Sequence, residues 1–322
     1  MADATISGSV PKRDFRLGDY APTYGAFAAL VILMLANVVF TPNFAAFDNF
    51  RNILVQATPT ILVAVGMTFV ISTGGIDLSV GSIMAIASAV AAVSLEYGAV
   101  PAVAIGLTAA TALGAFNGIL IAGFKIQPII ITLALLISGR GIAQVISSGG
   151  QLIQFSNPTF EYLGKGVIFG IPFQIILLAA VVVLAIFLLR STLFGRYVTA
   201  VGGNEEAARL SGVRVNRAKI TVYALSGLLA GIAGLIYTAR LGASDASKVG
   251  DGIELDAIAA TVVGGTPLTG GRATVIGTVI GALMMQIITT SFNMNGIKFS
   301  YSLVIKAAII LFAVYIQRPK LN

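Results

Sequence analysis

The chain has 322 residues, of which 57% are apolar and 10% charged, with a mean hydropathy of +0.95 and a formal net charge of +7. Soluble domains carry about 25% charged residues, so this composition is that of a polytopic membrane protein, and the excess of Lys and Arg reads as helix orientation rather than a nucleic-acid surface. Neither Cys nor His occurs, which removes disulfides, thiolate metal sites and the commonest general base, and puts transport or binding ahead of catalysis.

Residues 1–22 are polar, with Lys12, Arg13 and Arg16 and no apolar centre. They read as a cytoplasmic tail ahead of a first span, not as a cleaved signal. A spanning helix needs ~20 apolar residues, with ~17 as the floor. Residues 24–40 make the first span, closed by Thr41-Pro42-Asn43. Residues 53–72 make the second, and Pro59 inside it predicts a kink where a neighbour satisfies the freed carbonyl. After the turn Thr73-Gly74-Gly75 come spans at 80–95, 100–124 and 129–147, the last interrupted by Gly139-Arg140-Gly141. A polar loop reaches Gly170, and 171–189 is a sixth span.

Residues 190–219 are the longest polar interruption. They hold six of the twenty Lys and Arg against Glu205 and Glu206. Gly202-Gly203-Asn204 is a helix start signal, followed by helix formers through Leu210 and then Gly212, so a short helix is predicted there. The remaining segments are 220–237, 257–263, 274–292 and 302–316, the third from last being short enough to suggest a half-membrane path. With the N-terminus inside, counting spans puts thirteen of the twenty cations on the cytoplasmic side. The expectation is an all-α membrane protein with about ten transmembrane segments and both termini cytoplasmic. Its parts are the tail, a first transmembrane half (23–189), a cytoplasmic coupling loop (190–219) and a second half (220–322).

The halves resemble each other. Gly75-Ile76-Asp77-Leu78-Ser79 opens a small-residue helix and Gly114/Gly118 lies in the next. Gly252-Ile253-Glu254-Leu255-Asp256 opens another, and Gly277/Gly281 lies in the next. Five spans separate the copies, which predicts an inverted repeat of two five-helix halves with a substrate route between them. The Gly-xxx-Gly pairs, Gly227/Gly231 included, read as close helix crossings.

Asp77 is the one charge between Ile53 and Leu95. Either Asp77 or Ser79 caps the third helix, or the broken glycine segment presents Thr73, Asp77 and Ser79 to a pathway. Arg140 lies deep in its span and needs a partner or water, whether as a structural pair or a substrate contact, while Lys306 is expected to snorkel. Asn117, Glu254 and Gln286 complete the candidate pathway set. Gly265–Arg272 has glycines but no Gly-Lys-Ser/Thr, so it is not a phosphate loop.

Two stretches carry a family resemblance. Residues 70–82, VISTGGIDLSVGS, resemble the signature of monosaccharide permeases of bacterial ABC importers, of the ribose, arabinose, galactose and galactofuranose type. Glu206-Ala207-Ala208 with Gly212 resembles the EAA–G coupling motif of importer permeases. Glu254–Ala259 and Val263-Gly264-Gly265 with Gly270-Gly271-Arg272 resemble the second-half pattern. The resemblance implies a subunit of the bacterial cytoplasmic (inner) membrane that binds no cofactor itself. ABC ATPase subunits carrying ATP and Mg would dock at Asn204, Glu205, Glu206, Ala207, Ala208, Arg209 and Gly212. An external sugar-binding protein would deliver substrate, and a second copy or sister permease would complete the membrane half. The alternatives are a stand-alone secondary carrier or channel, for which the spans offer few ionisable groups, a receptor or anchor without transport, and an enzyme, which lacks catalytic groups.

Overall fold

The computed structural model describes residues 21–317. Residues 1–20 of the expected tail, and Arg318 and Lys320, lie outside that range. Two long helices form the centre: α2 (Phe47–Ser72) and α10 (Val215–Leu241), packed against each other. Both are buried along most of their length, as expected of helices apolar on every face.

Around them the packing is reciprocal. Helices α3 (Val80–Ser94) and α4 (Ala99–Phe124) lie against α10, with α5 (Pro128–Ile146) outside α3. Helices α11 (Ile253–Val263) and α12 (Val275–Met294) lie against α2, with α13 (Phe299–Gln317) outside α11. Helix α1 (Ala21–Phe40) flanks α12, and α7 (Phe173–Ser191) flanks α2. Large apolar side chains of α1, α4, α5, α7 and α13 stay exposed, as helices facing lipid tails require. A short helix, α6 (Pro158–Lys165), caps the end of α10, and two-residue pairs, β1 (Ile153–Gln154) with β4 (Ala243–Ser244) and β2 (Val167–Ile168) with β3 (Ile171–Pro172), tie the loops there.

Among the described residues, eight helices are long and apolar enough to cross a membrane. Helix α11, at eleven residues, is ~17 Å long and cannot cross alone, in keeping with the half-membrane path expected of it. Helix α2 begins at Phe47, six residues before the expected span, with Asp48 in its first turn where the helix dipole favours an acid.

Pro59 sits inside α2 and withdraws the N–H that Val55 would have bonded. The freed Val55 carbonyl accepts from Arg240 Nη1 of α10 at 3.1 Å, the neighbouring donor anticipated. The Gly-xxx-Gly pairs mark crossings. A Cβ at Gly114 would strike the Tyr223 carbonyl and sit 3.0 Å from the Gly227 Cα, so α4 and α10 touch backbone to backbone.

Three expectations are corrected. Gly139-Arg140-Gly141 does not interrupt its span: α5 is continuous, and the missing side chain at Gly139 makes room for Ser82 of α3. Residues 190–219 are not a loop with one helix. They contain α8 (Leu193–Gly203), α9 (Glu205–Leu210) and the first turn of α10. Lys306 does not snorkel. It is buried and ion-paired with Asp256 of α11 at 2.9 Å, because its length can be used to reach a carboxylate on the adjacent helix rather than the membrane surface. Since Asp256 stays about one third exposed, Lys306→Met is expected to cost roughly 1–3 kcal/mol rather than the full price of a stranded buried charge. Thermal unfolding of the detergent-solubilised protein measures this, and the double variant with Asp256→Asn should recover part of the loss.

Candidate functional site

Three glycine-bearing segments meet at one end of the bundle. The first is the turn that follows α2. Ser72 Oγ donates to the Arg272 carbonyl at 2.9 Å, and the Gly271 N–H donates to the Ser72 carbonyl at 3.0 Å, so the turn after α2 is bonded to the turn before α12. The third partner is the end of α8. A Cβ at Gly202 would overlap the Ser72 carbonyl oxygen and lie 2.5 Å from the Gly271 nitrogen. Only a residue without a side chain lets α8 seat on both turns. Phe194 of α8 also stacks on Phe69 of α2, with ring centroids 5.9 Å apart.

Helix α9 continues from α8. Asn204 caps it, its Oδ1 accepting from Ala207 N at 2.9 Å, as the start signal predicted. Gly212, at φ +81°, ends the segment. Ala208 is buried among Val201, Val215 and Ala218, which sets the rotation of α9 on its base. Glu205 faces inward and bridges Lys219 of α10 at 2.6 Å and Arg209 at 3.0 Å. Partial burial pushes the Glu205 carboxyl up, but the Lys219 and Arg209 charges outweigh this and hold it below its ordinary range. Glu206, Ala207 and Leu210 are exposed, leaving an acid-and-apolar face one turn long.

Beyond the same turn lies a polar hub. Asp77 is fully buried. Its Oδ1 accepts from Ser79 N at 3.0 Å and Ser79 Oγ at 2.6 Å, and its Oδ2 accepts from Ser226 Oγ of α10 at 2.8 Å. Asn117 of α4 donates to Ser79 Oγ at 2.9 Å. Thr132 of α5 reaches the Ile76 carbonyl at 3.3 Å. One carboxylate therefore joins the entry of α3 to α10, and, through Ser79, to α4. Thr73 is buried beside it and bonds back to the Val70 carbonyl.

The other three candidates lie further along the bundle from α9, two of them close to the first turn of α3. Arg140 donates to the carbonyls of Ala246 and Val249 at 2.9 and 2.7 Å, so α5 holds the connection between α10 and α11. Glu254, in the first turn of α11, lies where a Cβ on Gly81 would approach its Oε2 to 2.7 Å. Gln286 of α12 donates to Gln56 of α2 at 3.3 Å. Glu254 and Arg140 thus adjoin the Asp77 hub at the start of α3, Gly81 being two residues beyond Ser79, while Gln286 stands apart beside Gln56, sixteen residues of α2 from Ser72, or ~24 Å.

The prediction lacked Ser226, Ser72, Gly202 and Arg240. Ser226 looks like one more small residue beside Gly227, and Gly202 reads only as a helix boundary. Arg240 alone had a signal, the carbonyl freed by Pro59.

Such a chain is a multi-pass α-helical membrane protein whose polar turns meet at one end of a tightly crossed bundle. Residues 49–314 match the family described as the branched-chain amino acid transport system / permease component. The chain is 41% identical to the ribose import permease protein RbsC of Escherichia coli (strain K12) over 325 residues, covering 99% of this chain and 100% of that protein. It is 38% identical to the galactofuranose transporter permease protein YtfT of the same strain, covering 99% and 96%. It is 37% identical to the L-arabinose ABC transporter permease protein AraH of Azospirillum brasilense, covering 92% and 88%. The chain belongs to this permease family.

Proposed function

We propose that the chain is the membrane-spanning permease subunit of an ATP-driven monosaccharide importer in the bacterial cytoplasmic membrane. The observation that carries this is end-to-end similarity, at 41% identity, to permeases named for ribose import. The geometry supports a division of labour along the bundle axis. The exposed face of α9, with Glu206 and Leu210, receives a separate ATPase that holds ATP and Mg. Residues 204–210 and Gly212 form the coupling element, and Glu205 with Arg209 braces it against Lys219. The chain itself has no catalytic role. An external sugar-binding protein docks at the opposite end, and a second copy or sister permease completes the pathway.

The proposed topology has ten membrane segments, α11 included as a half-span, with both termini cytoplasmic. The domain divisions at 23–189, 190–219 and 220–322 follow. The reciprocal packing supports an inverted repeat of α2–α5 with α10–α13. Exchanging the members of the two sets maps α3 and α4 on α10 onto α11 and α12 on α2. Helices α1 and α7 then flank the repeat instead of belonging to it, so each half has four repeated helices. Within this frame, Thr73, Asp77, Ser79 and Asn117 shape the inner part of the route, Arg140 and Glu254 adjoin them at the start of α3, and Gln286 lies further out.

In the reconstituted importer, Glu206→Lys and Gly212→Asp are expected to cut sugar uptake at least tenfold while the permease still reaches the membrane. The Lys places a like charge where an acid docks, and the Asp is strained at a positive φ. Normal uptake with normal stimulation of ATP hydrolysis in both variants would remove α9 as the coupling element.

A further inference from the structure

At the end of the bundle away from α8 and α9, α2, α3, α10 and α11 line a half-open pocket of about 180 Å³. Pro59, Met84 and Ile253 supply its apolar lining, together with Tyr237, whose ring centroid lies 5.4 Å from the Arg240 guanidinium. The rest of the lining is polar. Gln56 and Thr60 come from α2, Asp256 from α11, and Lys248 and Asp251 from the connection before α11. Arg240 and Asp256 are already engaged, one with the Val55 carbonyl and the other with Lys306, and so are fixed in place.

Three features select the ligand. Arg240 and Lys248 stand with Asp251 and with an Asp256 already paired to Lys306, a small net charge that favours a neutral molecule over an ion. Amide, hydroxyl, carboxylate and ammonium groups offer donors and acceptors beside a few apolar side chains, which suits a ring bearing hydroxyls along its edge and C–H groups on its face. The volume holds about six waters at ~30 Å³ each, the bulk of one sugar ring and not two. The cavity also opens at the first turn of the eleven-residue α11, where the two helix sets meet, a place suited to substrate in proteins with discontinuous helices.

We propose that this cavity is a transient binding site for a single neutral monosaccharide entering the permease. The inference rests on the import function proposed above and adds a site within one subunit. Sugar released at the outer end occupies it against Tyr237 before the bundle rearranges.

The chain has no cysteine, so a single one can be placed at will. The test uses the whole importer, with ATPase and binding protein, carrying Thr60→Cys in the cavity or Phe169→Cys on the fully exposed β2–β3 turn. Reaction with a small charged thiol reagent is timed with and without ribose. Ribose is expected to slow modification at position 60 about fivefold and to leave position 169 unchanged. Asp251→Asn, on the exposed rim, is expected to lower uptake at limiting ribose by about fivefold with unchanged docking of the binding protein. If the importer accumulates ribose while position 60 reacts at the same rate with and without it, the cavity is not a sugar site and the import function stands. A loss of docking in Asp251→Asn without protection at position 60 likewise overturns the site, making the rim a protein contact. An importer that accumulates no pentose or hexose overturns both readings.

Discussion

Valine at Gly202 is expected to abolish coupled transport while leaving a folded permease in the membrane. The added Cβ would occupy the space of the Ser72 carbonyl oxygen and crowd the Gly271 nitrogen, so the hydrogen bond joining the turns after α2 and before α12 cannot survive beneath a seated α8. Overpacking of this kind costs about 1–3 kcal/mol, enough to unseat an eleven-residue helix without unfolding a bundle crossed as tightly as this one. The signature is a split between two measurements. ATP hydrolysis stimulated by the loaded binding protein should persist, and sugar accumulated per ATP should fall at least tenfold. Gly203→Ala is the internal control, because a Cβ there meets nothing within 4 Å. Equal behaviour of the two variants would mean that α8 does not carry the stroke from α9 into the bundle.

The second large effect is expected at Asp77. Alanine there removes the acceptor for Ser79 and Ser226 at once and leaves two buried hydroxyls and one N–H without it. The loss is roughly 3 kcal/mol, from stranded groups that had bonded a carboxylate. Asp77→Ala should therefore lower the yield of assembled importer and its uptake together. Asp77→Asn keeps the shape and the Oδ1 acceptor, and Ser226 can rotate to accept from the new amide, so assembly should stay near normal. Full assembly and full uptake in Asp77→Ala would show the carboxylate to be a dispensable cap. An Asp77→Asn variant that assembles fully and transports nothing would show that the charge itself is used.

Those two residues illustrate what could be read in advance. Asp77 was visible because a lone carboxylate in the 43 residues from Ile53 to Leu95 is costly unless it is bonded, and the turn Thr73-Gly74-Gly75 showed where the chain breaks. Its partner was not visible, since a serine among small residues in α10 looks like packing until the helix is docked. Gly202 was read as part of the start signal for α9, which is a local matter; its larger role depends on Ser72 and Gly271, distant in sequence by about 130 and 69 residues. The coupling helix was legible with its cap, because capping is a matter of adjacent residues. Its rotation was not, because it depends on Ala208 finding Val215 and Ala218.

Composition, hydropathy and charge by themselves determined the membrane class and the place of each long apolar helix, since the cost of taking backbone and charge into lipid depends on stretches of adjacent residues. Pro59 even announced a carbonyl in need of a donor. Only the tertiary structure decided that Arg240 supplies it, that Lys306 pairs with Asp256 instead of reaching for the surface, that Gly139-Arg140-Gly141 stays helical, and that three glycine turns close on one another beneath α9. Each of these is a contact between groups far apart in the chain, and its energy exists only when the helices have docked.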